Sequence, residues 1–134
     1  MNVTNLMIED HKMIGGLINK VVESKDKEDF KKMMWALEKH LFVEEKAVLM
    51  SYRPTDDEGK KMIAHVLEDH VKILDIVHNL EISFDSCEVD FNELEAFLKN
   101  HEILEETILY PRLDKEMPED DRQVLIDRIK SVEL

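Results

Sequence analysis

The sequence predicts an all-α protein, an up-down-up-down four-helix bundle with a short extra C-terminal helix. Three observations carry this. Apolar residues recur at helical spacing along nearly the whole chain. Only 3 Gly and 3 Pro occur in 134 residues, too few for the many tight turns of an all-β fold. Glu, Leu, Lys and Ile are abundant and Met occurs 8 times, and these residues form helices readily or fit helix faces. A hydrophobic content of 43%, interleaved with 37% charged residues, marks a globular chain rather than a disordered one. The length suits one domain, 1–134.

Four breaks divide the pattern. Ser24-Lys25-Asp26-Lys27 separates a first helix, roughly 4–23, from a second, roughly 27–50. Ser51-Tyr52-Arg53-Pro54 closes the second, and Thr55-Asp56-Asp57-Glu58 reads as a capping box opening a third over 56–82. Ser83 to Val89 forms the next break, with Asp90 and Glu93 as another box before a fourth helix over 91–114. Pro111 should bend or end that helix. Beyond Lys115-Glu116-Met117, Pro118 suits the first position of a tail helix near 118–132. Connections this short make sequential helices antiparallel neighbours. Val124, Leu125, Ile126 and Ile129 suit the tail helix to capping the bundle.

A net charge of −13 argues against nucleic acid or anionic membrane as a partner, since phosphate binding needs clustered Lys and Arg. No apolar run approaches the length of a transmembrane helix, and the acidic N-terminal stretch does not resemble a signal peptide. The single Cys87 cannot form an internal disulfide and reads as an exposed thiol. These features point to a reducing cytoplasm.

The chain also repeats itself. Ile8-Glu9-Asp10-His11-Lys12-Met13-Ile14 matches Leu67-Glu68-Asp69-His70-Val71-Lys72-Ile73, and His40-Leu41-Phe42-Val43-Glu44-Glu45 matches His101-Glu102-Ile103-Leu104-Glu105-Glu106. A helical hairpin is used twice, and two such hairpins about a pseudo-twofold axis bring equivalent residues together. At 100° per residue each of four histidines centres on an apolar stripe. His11 lies among Met7, Ile8, Ile14 and Ile18; His40 among Met33, Ala36, Leu37 and Ala47. His70 lies among Ile63, Val66, Leu67, Ile73, Leu74 and Val77; His101 among Leu94, Phe97, Leu98, Leu104 and Ile108. Glu44 and Glu105 follow one turn after His40 and His101 and face the core as well. A lone histidine on an apolar face is more often a hydrogen-bonded core residue than a ligand. One on each of four helices, with two carboxylates and no Lys or Arg on the stripes, is a different matter. Unpaired buried carboxylates cost several kcal/mol each, and a metal site resolves that cost.

Four imidazoles and two carboxylates suit iron, with zinc, manganese and cobalt chemically admissible. Glu44 and Glu105 on facing helices can bridge two ions, leaving two imidazoles for each, and a solvent oxygen and exogenous ligands to complete the shells. With these motifs, and with Ile108-Leu109-Tyr110-Pro111 after the second His-x-x-x-Glu-Glu string, the chain resembles the hemerythrin-like, or HHE cation-binding, domains over about 1–114. The resemblance implies that His11, His40, His70 and His101 are ligands of two non-haem iron ions and that Glu44 and Glu105 bridge them. It also implies a small-molecule ligand such as oxygen or nitric oxide. The oxygen carriers of that family have a second histidine four residues from the one on the third helix, where this chain has Val66 and Leu74. Their fourth helix has an Asp five residues after its His, where this chain has Glu106. The four-histidine branch fits better, and its additional open position favours redox chemistry, sensing or nitric oxide binding.

Two functions share this site: a binder that senses or stores its ligand, and an enzyme that reduces peroxide or nitric oxide or supplies iron for cluster repair. A protein adaptor with no metal, or with zinc, is the third reading. A freestanding bundle implies a protein redox or signalling partner for any sensing role. His65, about 140° from His70, reads as a surface residue and His78 as a boundary residue. Glu45 and Glu106 face outward or accept from the far nitrogens of the imidazoles, a role also open to Glu9, Asp10, Glu68 and Asp69. Met7, Met33 and Met62 read as core filler, and Tyr110 as packing. Gly15 and Gly16 are expected to admit a close neighbouring helix, with a small passage toward the centre as the other reading.

Overall fold

A computed structural model describes residues 2–85 and 89–132. Cys87 therefore lies outside the described residues. The described chain folds into five helices and contains no strand. Helix α1 spans Val3–Ser24. Helix α2 is α-helical over Lys27–Val43, widens into a π turn over Glu44–Val48 and ends with one α turn, Leu49–Ser51. Helix α3 spans Asp57–Ser83. Helix α4 runs over Asn92–Leu104, widens over Glu105–Leu109 and continues over Tyr110–Glu116. Helix α5 spans Glu119–Ser131. Every boundary falls within two residues of the sequence expectation.

The ends show where local signals were overridden. Asp26 caps α2 by accepting from the Glu28 N–H, and Lys25 takes the left-handed conformation, φ 53°, to turn the chain. The expected box at Thr55–Glu58 does not form. Asp56 is the N-cap of α3 without a side-chain cap bond, because its carboxylate takes Arg112 of α4 instead. Asp90 accepts from the Asn92 N–H at 2.9 Å, and Glu93 closes no box. Pro118 sits just ahead of α5 rather than at its first position. Gly59 is required sterically: a Cβ there would lie 2.4 Å from Pro54 Cβ. Pro111 does not end α4, which continues to Glu116. Nor does it cause the π turn before it, since α2 has the same turn with Met50 at the matching position.

The four long helices pack in a cycle, α1 on α2, α2 on α3, α3 on α4 and α4 on α1. Their buried faces form two apolar clusters. One gathers Ile14, Phe30, Leu37, Ile73, Leu80 and Leu94. The other gathers Val3, Met7, Val48, Val66, Leu109 and Leu113, and is closed by Leu125 and Ile126 of α5. Burying each such side chain stabilises the fold by about 1.5–3 kcal/mol, which offsets the polar layer held in the same interior. Asp114 ties α4 back to the start of α1, accepting from the backbone N–H groups of Val3 and Thr4 at 2.9 Å each. A carboxylate at a helix N-terminus satisfies orphan donors and complements the helix dipole.

Four side-chain expectations fail. Leu67 and Ile108 stand on the predicted stripes but are exposed, Val124 of the tail helix faces solvent while Leu125 and Ile126 cap the bundle, and His78 is exposed rather than at the boundary. Gly15 and Gly16 do not serve close packing, because a Cβ on either meets nothing within 4 Å. Gly15 instead lines a groove of about 310 Å³ with residues of α4.

Candidate metal centre

Each long helix delivers one histidine to the polar layer, and all four are buried, as are Glu44 and Glu105 with no exposed surface. Their donor atoms form two groups that share Glu105. Glu44, His70, His101 and Glu105 make one, and His11, His40 and Glu105 make the other. Within each group the ligating atoms lie within 4.8 Å of one another. The six residues singled out in the sequence are thus brought together.

The outward nitrogens explain how the rings are held. His40 Nδ1 lies 2.5 Å from Asp10, His101 Nδ1 2.8 Å from Asp69, His70 Nδ1 3.2 Å from Glu45 and His11 Nδ1 2.7 Å from Glu106. The pattern is cyclic. Helix α1 supplies the acceptor for the histidine of α2, α2 for α3, α3 for α4, and α4 for α1. The Asp before each of His11 and His70, and the second Glu of each Glu-Glu pair, do the same job in each half. Glu9 and Glu68 are exposed and take no part.

With Nδ1–H donated outward, each Nε2 turns a lone pair inward. There His11 and His40 Nε2 stand 3.2 Å apart, and His70 Nε2 lies 2.9 Å from Glu44. Lone pairs that close repel unless a proton or a cation lies between them. Both oxygens of Glu105 and Nε2 of His101 have no hydrogen-bond partner. They stand 3.1 Å apart, with His11 Nε2 3.3 Å away on the other side, so the groups feel each other's charge without aligned bonds. Burial works against the charged form of His11, but Glu105, Glu106 and Glu102 outweigh it and push the imidazole up to about 9. His101 is likewise pushed up to about 9, burial being overcome by Glu105 and Asp69. Burial and the charge of Glu105 raise the carboxyl of Glu44. Without a metal, the layer takes up protons in its place.

The π turns shape the site. Each begins at the core glutamate, and the N–H five residues on, of Leu49 or Tyr110, donates to that glutamate's carbonyl. In an unbroken α-helix Tyr110 would point about 180° from His101. The wide turn adds roughly one residue, or about 100°. That swings Tyr110 and Leu109 inward and leaves Ile108 outside. Tyr110 is fully buried and its hydroxyl donates to Glu44, so packing alone does not describe it. Burial and the two nearby carboxylates hold its phenol well above the ordinary range, so it stays a donor. No signal in the sequence gives this inward position, because α2 widens in the same way without a Tyr-Pro pair. His65 is exposed, 3.4 Å from Asp69, and is not among the inward-facing groups.

The family model of the hemerythrin HHE cation-binding domain matches residues 2–113. The chain belongs to that family. Hemerythrin-family proteins bind non-haem iron, and the donor set here, imidazoles and carboxylates with an orphaned buried carboxylate at its middle, fits such ions. Searches of curated proteins and of solved structures returned no match. The hemerythrin match ends before α5, and the helix closing the second apolar cluster lies outside it. Among the described residues no helix is long and apolar enough to cross a membrane.

Proposed function

We propose that this hemerythrin-family chain binds two non-haem iron ions through His11, His40, His70, His101, Glu44 and Glu105. In this reading the two glutamates bridge the ions together with a solvent oxygen, and the open positions bind oxygen, nitric oxide or a related small ligand for sensing, storage or redox response. The observation that carries it is Glu105, a fully buried carboxylate with both oxygens unpartnered and common to both groups of donors. An orphaned carboxylate of this kind is costly unless a cation meets it. Iron would supply Lewis acidity and one-electron redox change.

The chain's own residues do the rest. Asp10, Glu45, Asp69 and Glu106 fix the ring orientations and tautomers, which keeps the Nε2 lone pairs inward. Tyr110 steadies Glu44, and the two apolar clusters limit water. A groove of about 790 Å³ between α1 and α2 has Asp10 and His40 in its lining, which gives small molecules a way toward one ion. The helices alternate in direction in this reading, up-down-up-down. The two-residue link from α1 to α2 and the bond between the end of α4 and the start of α1 support that. A cytoplasmic setting and a protein redox or signalling partner complete the proposal.

The test is to load the protein anaerobically with ferrous iron, then admit oxygen or nitric oxide while recording the optical spectrum. A stoichiometric change with no consumption of added reductant is expected. Sustained turnover of peroxide or nitric oxide with a reductant would replace the binder with the enzyme. No spectral response to either gas would remove both.

A further inference from the structure

The two halves of the chain are not equivalent at one seam, and the difference has a chemical sense. Under the internal repeat, the α4–α1 seam corresponds to the α2–α3 seam. At the α2–α3 seam the matching positions are Leu41, 3% exposed, and the half-buried Leu74. At the α4–α1 seam they are Glu102 and Gly15. The two leucines are apolar filling, whereas the glutamate and the missing side chain leave the groove of about 310 Å³, which Glu95, Lys99 and Glu106 also line.

Resting on the di-iron reading, we infer that this groove is the route by which a divalent cation reaches the centre, with Glu102 and Glu106 as its outer stop. The two carboxylates sit one turn apart on α4, where like charges repel. No Lys or Arg lies within 4.0 Å of either among the described residues. They face the outer edge of the His11 ring, whose Nδ1–H Glu106 accepts at 2.7 Å and which stands 3.7 Å from Glu102, so the two carboxylates are left to meet an ion. The route has a destination. On the inner side of the same imidazole, 3.3 Å from Nε2, lies Glu105 with both oxygens unpartnered. Glu106 is explained by the ring of acceptors around the histidines, and its counterpart is Glu45. Glu102 has no such explanation, because its counterpart is a leucine. A carboxylate-lined passage suits a cation rather than a neutral diatomic gas.

Cobalt(II) makes a convenient probe because its visible absorption reports occupancy. The full metal-free chain and its Glu102→Leu, Glu102→Gln and Gly15→Leu variants would be mixed with cobalt(II) and followed by stopped flow, then titrated to saturation. Gly15→Leu should fold, since the space is open and the helix gains propensity. Loading about tenfold slower or more in all three, with final stoichiometry unchanged and the salt dependence of loading weakened in both Glu102 variants, is the expected result. Equal loading rates in the chain and its variants would overturn the route. Glu102→Leu losing a cobalt at saturation would overturn it too, by making Glu102 a ligand of the centre. A wild-type chain that takes up no cobalt would remove the di-iron reading and this inference together.

Discussion

The first hairpin, α1 with α2, and the second, α3 with α4, are built from the same parts, and three of the positions at which they differ bear on the centre. Both carry a histidine preceded by Asp, a histidine followed one turn later by a core Glu, a second Glu reaching the next helix, and a π turn starting at the core Glu. What they share is what holding and orienting a pair of ions requires. The differences make the two halves of the centre unlike. Tyr110 stands where the first hairpin has Leu49, so Glu44 receives a phenol donor and Glu105 receives none. Glu102 stands where the first hairpin has Leu41, and Gly15 where the second has Leu74. A duplicated scaffold thus supplies one steadied carboxylate, one free carboxylate, and a groove at the α4–α1 seam where the α2–α3 seam has two leucines.

The sharpest break of this comparison comes from the two glutamates. Glu105 belongs to both groups of donors and Glu44 to one. Both glutamates bridge in the proposed centre, but Glu105→Ala removes a donor of both groups and should lower bound iron more than Glu44→Ala; equal losses by elemental analysis would show that the halves are alike. Next in size is the effect of pH. His11 and His101 are pushed up to about 9 in the metal-free fold, against roughly 6.5 in an unfolded chain. Their charged forms stabilise that fold fully below about 6.5, and the contribution is lost as pH rises through about 9. Iron must displace those protons, so its affinity should rise over the same window by about tenfold per pH unit for each proton released. Denaturation and metal titration at matched pH should move in opposite directions.

The ring of acceptors gives a third test. Asp10→Ala and Asp69→Ala, equivalent residues of the two halves, should each weaken iron binding by about 10–100-fold. An effect confined to one of them would break the repeat. Tyr110→Phe tests the asymmetry at lower amplitude, since a buried hydrogen bond to a carboxylate contributes about 1.5–3 kcal/mol. Urea denaturation should show a loss of that order, whereas Leu49 has no such bond to lose. The smallest change is expected from His65→Ala, within about 0.5 kcal/mol in stability and without effect on metal content, because His65 is exposed and outside the inward-facing set.

The periodic part of this molecule was legible because it obeys one rule. Six polar residues at 100° steps on apolar stripes could be placed in one layer by arithmetic, and the duplicated strings said that two hairpins would meet. The arithmetic failed where the helix departs from 3.6 residues per turn. Ile108 left the core and Tyr110 entered it because a π turn adds roughly one residue's rotation, and nothing in the letters of α2 and α4 announces that turn. A box at Thr55–Glu58 was legible in the letters, but not Asp56 as the N-cap with Arg112, a residue of another helix, as its partner. Gly15 and Gly16 were read as close-packing residues because small side chains often serve that purpose, whereas the space beside them stays open. Apart from the π turns, these misses concern what lies opposite a residue rather than where the residue sits on its helix.

The most direct test of the centre is a count of iron in protein loaded anaerobically with ferrous iron and freed of excess, beside His101→Ala treated in the same way. About two ions per chain in the natural protein, with a clear loss in the variant, is the expected result. Less than about one ion per chain, unchanged by His101→Ala, would contradict the account and leave the buried histidines and glutamates as a proton-holding layer in a helical domain.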